Sequence, residues 1–417
     1  MKTGCKSIAI IIIFIMLVCS ACTDKQPASD IASIQRENMP TSEGSKGKGD
    51  EGYQYVLYNF SLIDGTGAEL KDNMMIFVKK DRIEKIVRRD KASMPEGYQE
   101  IDLKGYVVLP GFINTHVHCF YSEQALQQWL ENGVTTVREL AAPKGSDLSS
   151  TRDASNQNSL NARVATATPF ITTTGGYIPP FVEYVDTPEE AADITKSYLK
   201  MNPDVIKISI EDDLQGKQWT LLPLDLIQSI TRTAHEGNKK VAAHISHVRN
   251  LHLAIDGGVD ELSHMVVEPL DEELAKEIAE KGIYWVPTLE LWQRVSEKHD
   301  LTWDQTAIQN LSVFFEAGGK IALGTDYGGY SVSFDGGMPM AEIKAMKAAG
   351  MSNMDIIISA TQNAATVCGM ESQIGTLEEG KIADLIVVKE NPLEDLEALT
   401  KLHMVIHNGN IITSKYK

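Results

Sequence analysis

Between about Val107 and Gly369 the chain alternates short apolar runs with stretches whose apolar residues recur every three to four positions. The runs are Val107–Leu109 continuing through Ile113, Thr135–Val137, Ala167–Thr173, Val205–Ile208, Val241–His244, Glu261–His264, Tyr284–Val286 and Ile321–Leu323. Apolar runs this short, with so few polar interruptions, suit parallel strands buried on both faces. The 3.6-residue spacing predicts helices over Pro188–Leu199, Leu224–His235, Asp271–Ala279 and Thr306–Ala317. Thr187 before Pro188 supplies a helix cap followed by a proline suited to the first turn. Eight strand–helix repeats in about 260 residues predict a (β/α)8 TIM barrel rather than an open sheet.

The pattern changes at both ends. Tyr55–Asn59, Met74–Val78 and Ile83–Val87 are β-rich and separated by Gly, Asp and Lys clusters. Similar runs return at Gly380–Val388 and Met404–Gly409, and Ile411–Ile412 could continue the last of them. Two β-rich ends flanking a long α/β middle predict one small β-sandwich built from both termini, with the barrel inserted. The predicted division is residues 53–109 plus 370–417 for the sandwich and 110–369 for the barrel.

The N-terminus has a different character. Lys2 and Lys6 precede an apolar run from Ile8 to Cys19, then Ser20, Ala21 and Cys22. A basic start, a short apolar run and small residues describe a secretory signal over residues 1–21. The run is shorter than the roughly 20 residues a spanning helix needs. Cys19-Ser20-Ala21-Cys22 resembles a bacterial lipoprotein signal, in which the last cysteine is acylated, although Cys19 stands where Leu is usual. That resemblance implies lipidation at Cys22 and an exported protein attached to the outer face of the cell membrane. An ordinary cleaved signal and a retained anchor are the alternatives. Residues 22–52, rich in Ser, Lys, Glu, Asp and Gly, predict a flexible tether.

Composition adds two restrictions. At 417 residues, 43% hydrophobic and 23% charged, the chain can bury a large core and divide into domains. A formal net charge of −18 offers no basic stripe to neutralise phosphates, so nucleic acid is not an expected partner. Of five cysteines only Cys119 and Cys368 lie outside the signal region, too few for a disulfide framework.

The candidate chemistry sits at predicted strand ends. His116-Val117-His118 puts two imidazoles on one face of an extended chain. Alone, that pair is a weak signal. Lys207 interrupts the apolar Val205-Ile206-Lys207-Ile208, where an unpaired ammonium faces a desolvation cost. His244, His264 and Asp326 each end a predicted strand. All six fall at the C-terminal rim of one predicted barrel, where barrel enzymes place their chemistry.

With these residues in view, the chain resembles the amidohydrolase superfamily. Val108-Leu109-Pro110-Gly111-Phe112-Ile113-Asn114-Thr115-His116-Val117-His118 matches that family's first-strand motif, and Ile206-Lys207-Ile208 its fourth-strand lysine. Asn363-Ala364-Ala365 and Gly375–Leu385 resemble the return to its sandwich. The resemblance implies a centre of two divalent metal ions, with zinc suited to imidazole and carboxylate donors. His116, His118 and Asp326 would hold one ion and His244 and His264 the other, with Lys207, N-carboxylated by CO2, bridging them. Two such ions, about 3.5–4 Å apart, would share a hydroxide and polarise the scissile carbonyl, with Asp326 moving the proton. Thr173-Thr174-Gly175-Gly176-Tyr177 resembles the prolidase and imidazolonepropionase-like branch, which often has His where Tyr177 stands. Arg138, Tyr177, His247 and Tyr327 are the candidate substrate-binding residues, Arg138 and Tyr177 for a substrate carboxylate.

The expected activity is hydrolysis of an amide bond in a small molecule, such as a dipeptide or N-acyl amino acid. A cyclic amidase, lactonase or phosphotriesterase on the same site is the second reading. A surface lipoprotein that binds metal or solute without turnover is the third. Self-association into a homo-oligomer is left open.

Overall fold

A computed structural model describes residues 54–413 except 95, 119–121, 178–181, 215, 331 and 335. The predicted signal and tether, with Cys22 as the predicted acylation site, and Cys119 lie outside the described residues.

Two bodies of strand organise the chain. One eight-stranded sheet takes Gln54–Leu62, Lys71–Lys79, Arg82–Arg88, Gln99–Asp102 and Val107–Pro110 from before the helical region. It also takes Leu385–Val388, Leu402–His407 and Asn410–Thr413 from after it. The two ends meet where Val107–Pro110 runs antiparallel to Leu385–Val388, with Pro110 opposite Leu385.

Apart from the short antiparallel pair Asp213–Leu214 and Lys217–Gln218, the remaining strands are parallel and TIM-barrel-like. Phe112–Val117 pairs with Val134–Glu139, which pairs with Arg163–Thr166. A bridge from Ala167 to Val205 passes the order to Val205–Ser209, then Lys240–His244, Glu261–Ser263, Tyr284–Val286 and Lys320–Ile321. The last segment turns back against the first. The Thr115 amide donates to the Leu323 carbonyl at 3.0 Å and the Asp326 amide to that of His116 at 2.9 Å.

Past their first residues these strands are buried, and helices pack outside them with their apolar stripes inward. Pro188–Leu199 shows how locally the sequence sets them. The Thr187 side chain accepts from the Glu190 amide, Pro188 occupies the first turn, and Ala191, Thr195 and Tyr198 form the buried stripe.

Two predicted strands are corrected. The expected run from Val107 through Ile113 is two strands that serve different sheets. The break falls at Gly111, where any Cβ would collide with the Thr135 side chain, so only glycine lets the chain cross over. The third strand is Arg163–Thr166, not Ala167–Thr173. Pro169 has no amide to give the ladder, and beyond it Phe170–Thr172 forms a separate short strand, parallel to Val182–Tyr184 on one side and, through Ile171 and Ile208, to Val205–Ser209 on the other. Among the described residues no helix is long and apolar enough to cross a membrane.

Candidate metal centre

The pairings bring the C-terminal ends of the parallel strands to one rim. Phe112–Val117 delivers His116 and His118, whose Nε2 atoms lie 3.3 Å apart. Asp326 follows the last strand, and its Oδ1 is 3.0 Å from both of those nitrogens. Close approach depends on Gly324, where a Cβ would sit 2.9 Å from the His116 Cβ. The His264 ring stands 4.8 Å from that of His116 and 4.6 Å from that of His244. Ligand atoms of His116, His264 and Asp326 all lie within 4.8 Å of one another. His264 and Asp326 hold positive φ values of 75° and 63°, backbone conformations uncommon for residues other than glycine. Such conformations cluster at functional sites.

Lys207 completes the group from the middle of Val205–Ser209. Its side chain is fully buried and Nζ has no hydrogen-bond partner among the described residues. The contact Nζ does make is with the Phe170 ring, 5.4 Å from its centroid. Burial pulls its ammonium down to about 7, the nearby Arg138 adding to that effect while Glu261 and Asp326 oppose it. A buried amine without a partner is costly, and neutralising or bonding it removes that cost.

The electrostatics favour cation binding. Burial holds His116 and His264 well below the usual imidazole value and lowers His244 as well, leaving neutral rings with lone pairs to give. His118 differs. Burial opposes its charging, yet contacts with Asp326 and Glu139 raise it to about 9. Asp326 stays well below the carboxylate range against its own burial, because His116 and His118 stabilise the anion. Four imidazoles, one carboxylate and an orphaned buried amine at a single rim form a donor set that fits divalent metal.

A supporting shell went unread in the sequence. Glu139, buried at the end of its strand, holds His118 Nδ1 at 3.2 Å. Thr288 Oγ1 lies 2.9 Å from His264 Nδ1, and Glu211 Oε2 lies 3.6 Å from His244 Nε2. For His118 this leaves the opposite ring nitrogen facing Asp326 and the centre. Glu139 ends its strand and Glu211 follows Val205–Ser209 by two residues, and an acid just at or beyond a strand end was the available signal.

The four substrate candidates separate. The Arg138 guanidinium donates to the carbonyls of Thr115 at 2.6 Å and Val367 at 2.9 Å, and to Glu261 Oε1 at 2.6 Å. Fully buried and satisfied, it ties strands together, and the expected grip on a substrate carboxylate does not fit. His247 lies 2.7 Å from the Asp213 carbonyl through Nε2 and 3.0 Å from Glu268 Oε1 through Nδ1. Tyr327 packs its ring edge on Trp129 at 4.8 Å. Its carbonyl accepts from the His118 amide at 2.7 Å, whereas Tyr177 meets a predicted ligand through its ring, stacked on His244 at 4.4 Å.

Known proteins resemble the chain over most of its length. An ochratoxinase of Aspergillus niger is 24% identical across 86% of each chain. An imidazolonepropionase of Symbiobacterium thermophilum is 24% identical over 76% of this chain and 80% of its own. The crystal structure of a Xaa-Pro dipeptidase with bound methionine superposes with a TM-score of 0.75 at 27% identity, covering 87% of this chain and all of that one. Residues 107–412 match the amidohydrolase family, and that span runs from the strand before His116 past Asp326 into the terminal sheet. The chain belongs to the amidohydrolase family.

Proposed function

We propose that this amidohydrolase uses two divalent metal ions, zinc by donor preference, to hydrolyse the amide bond of a small substrate. A dipeptide or an N-acyl amino acid is the expected class. The observation that supports this most is the meeting of His116, His118, His264 and Asp326 at one rim, with the buried Lys207 close enough to act on these groups and its Nζ without a hydrogen-bond partner among the described residues. His116, His118 and Asp326 would hold one ion, His244 and His264 the other, and an N-carboxylated Lys207 would bridge them. Bound there, the ions supply Lewis acidity to the scissile carbonyl and to the attacking water. The parallel strands then form a closed (β/α)8 barrel inserted in a sandwich of the two ends.

Asp326 is the proton carrier in this reading. Its carboxylate is charged at neutral pH and Oδ1 already faces two imidazole nitrogens. It takes the proton from the attacking water and returns it to the leaving nitrogen as the C–N bond breaks. The names of the dipeptidase and ochratoxinase relatives agree with hydrolytic chemistry. Export and anchoring through an acylated Cys22 are part of the same proposal and place the active site outside the cell.

The test is a screen of the metal-loaded protein against dipeptides and N-acyl amino acids, with lactones and phosphotriesters alongside. Turnover confined to amides supports the proposal. Turnover confined to lactones or phosphotriesters, or bound metal with no turnover of any class, would reject it.

A further inference from the structure

The His264 imidazole is held by a residue that stands where a helix cap belongs. Thr288 is fully buried at the start of the helix Leu289–His299, with φ 49° and ψ 49°, in the left-handed region. A threonine at a helix start ordinarily turns its hydroxyl oxygen onto an amide of the first turn. Here it makes no such bond, and Oγ1 lies 2.9 Å from His264 Nδ1 instead. The same helix reaches the His264 segment a second time, where Trp292 Nε1 donates to the Met265 carbonyl at 2.9 Å. The placing of this helix therefore sets how His264 is held.

With Thr288 diverted, the first amides of the helix need another acceptor. The helix's own carbonyls cannot supply one, and buried amides left unmet are costly. Glu342, in the helix Met340–Ala348, meets two of them. Its Oε1 accepts from the Leu289 amide at 3.0 Å and its Oε2 from the Glu290 amide at 2.6 Å. The two oxygens of one carboxyl group can each take one of two adjacent amides. Leu289, Glu290 and Glu342 are all fully buried. Ile343, Ala345 and Met346 make up the rest of the buried face of the Glu342 helix, so an acid there is out of keeping with its neighbours. A buried carboxyl carries a desolvation cost that only such bonds offset.

We propose that Glu342 is a positioning residue for the metal centre, capping the helix Leu289–His299 from outside and so releasing Thr288 to hold His264. This rests on the two-ion reading of the site, in which His264 is a ligand. With Glu342 in place the helix start needs nothing from the Thr288 side chain. Without it, the Glu290 amide competes for the Thr288 hydroxyl, and the bond that fixes the His264 ring weakens. Glu342 thus acts on the centre through Thr288 and not by touching an ion.

The test uses the full-length protein and three variants: Glu342→Met, which removes both acceptors, Thr288→Val, which removes the hydroxyl, and the two combined. Zinc affinity is measured by chelator competition, and the His264 imidazole nitrogen shifts by NMR on the metal-free protein. Each single variant should lose about tenfold in zinc affinity. The double variant should lose no more than the larger single loss, because both changes act through one contact. The His264 nitrogen shifts should move in the same direction in both single variants. Wild-type affinity and shifts in Glu342→Met, with stability alone reduced, would overturn the proposal, as would losses that multiply in the double variant. Glu342→Gln keeps one acceptor and should fall between wild type and Glu342→Met. It carries the same comparison should Glu342→Met not fold, and wild-type affinity and shifts there would equally overturn the proposal. Should the wild type bind no zinc, the two-ion reading fails, while the nitrogen shifts still decide whether Glu342 acts on His264.

Discussion

Nδ1 of His118 lies 3.2 Å from Oε1 of Glu139 on the neighbouring strand, while Nε2 of the same ring lies 3.0 Å from Oδ1 of Asp326. One imidazole is therefore held from behind by a buried carboxylate and offered in front to the centre. A carboxylate behind a metal-binding histidine fixes ring orientation and raises its basicity. Glu139→Gln should fold normally and lose about tenfold or more in metal affinity, measured by competition with a chromophoric chelator. Affinity equal to wild type would mean that Glu139 serves the fold alone.

Arg138 and Glu261 make a different prediction, because their 2.6 Å ion pair is buried and away from solvent. Removing one partner strands the other charge in the interior, which costs about 3–5 kcal/mol. Arg138→Met should lower the unfolding free energy measured in urea by that amount while leaving KM for substrate nearly unchanged. A raised KM with unaltered stability would restore Arg138 to the substrate pocket.

Glu342 carries a pH dependence. Its carboxyl accepts from the amides of Leu289 at 3.0 Å and Glu290 at 2.6 Å, at the start of the helix that follows Thr288. Burial raises it from 4.5 to about 8, with the two backbone bonds opposing and the Glu290 charge assisting. Above about 4.5 the unfolded chain releases this proton and the folded chain keeps it. Its contribution is therefore fully present below about 4.5 and is lost as pH rises towards about 8. Relative to Glu342→Gln, the wild type should lose stability between pH 5 and 8, by at most about 1.4 kcal/mol per unit. Urea unfolding at both values checks this, and parallel profiles would contradict it.

Much of this was legible in the chain because parallel strands buried on both faces leave continuous apolar runs, and a polar residue ending such a run stands out. His244, His264 and Asp326 were visible for that reason, and Lys207 because it interrupts a run. Pairing was less legible. The division at Gly111 depends on contact with Thr135, and the shift of the third strand depends on Pro169, neither of which changes the apolar pattern. Arg138 illustrates the limit for single side chains. Its sequence neighbours say that it is near the rim, and only its three partners show that it is committed to the interior. Glu211 and Thr288 act through His244 and His264, and no spacing links those pairs in the sequence.

The central claim is a two-metal centre bridged by Lys207, and metal counting on the wild type and Lys207→Ala tests it most directly. The wild type should hold about two divalent ions per chain and cleave at least one dipeptide or N-acyl amino acid. Lys207→Ala should hold about one ion or fewer and lose that turnover. Metal content and turnover unchanged by Lys207→Ala would contradict the account.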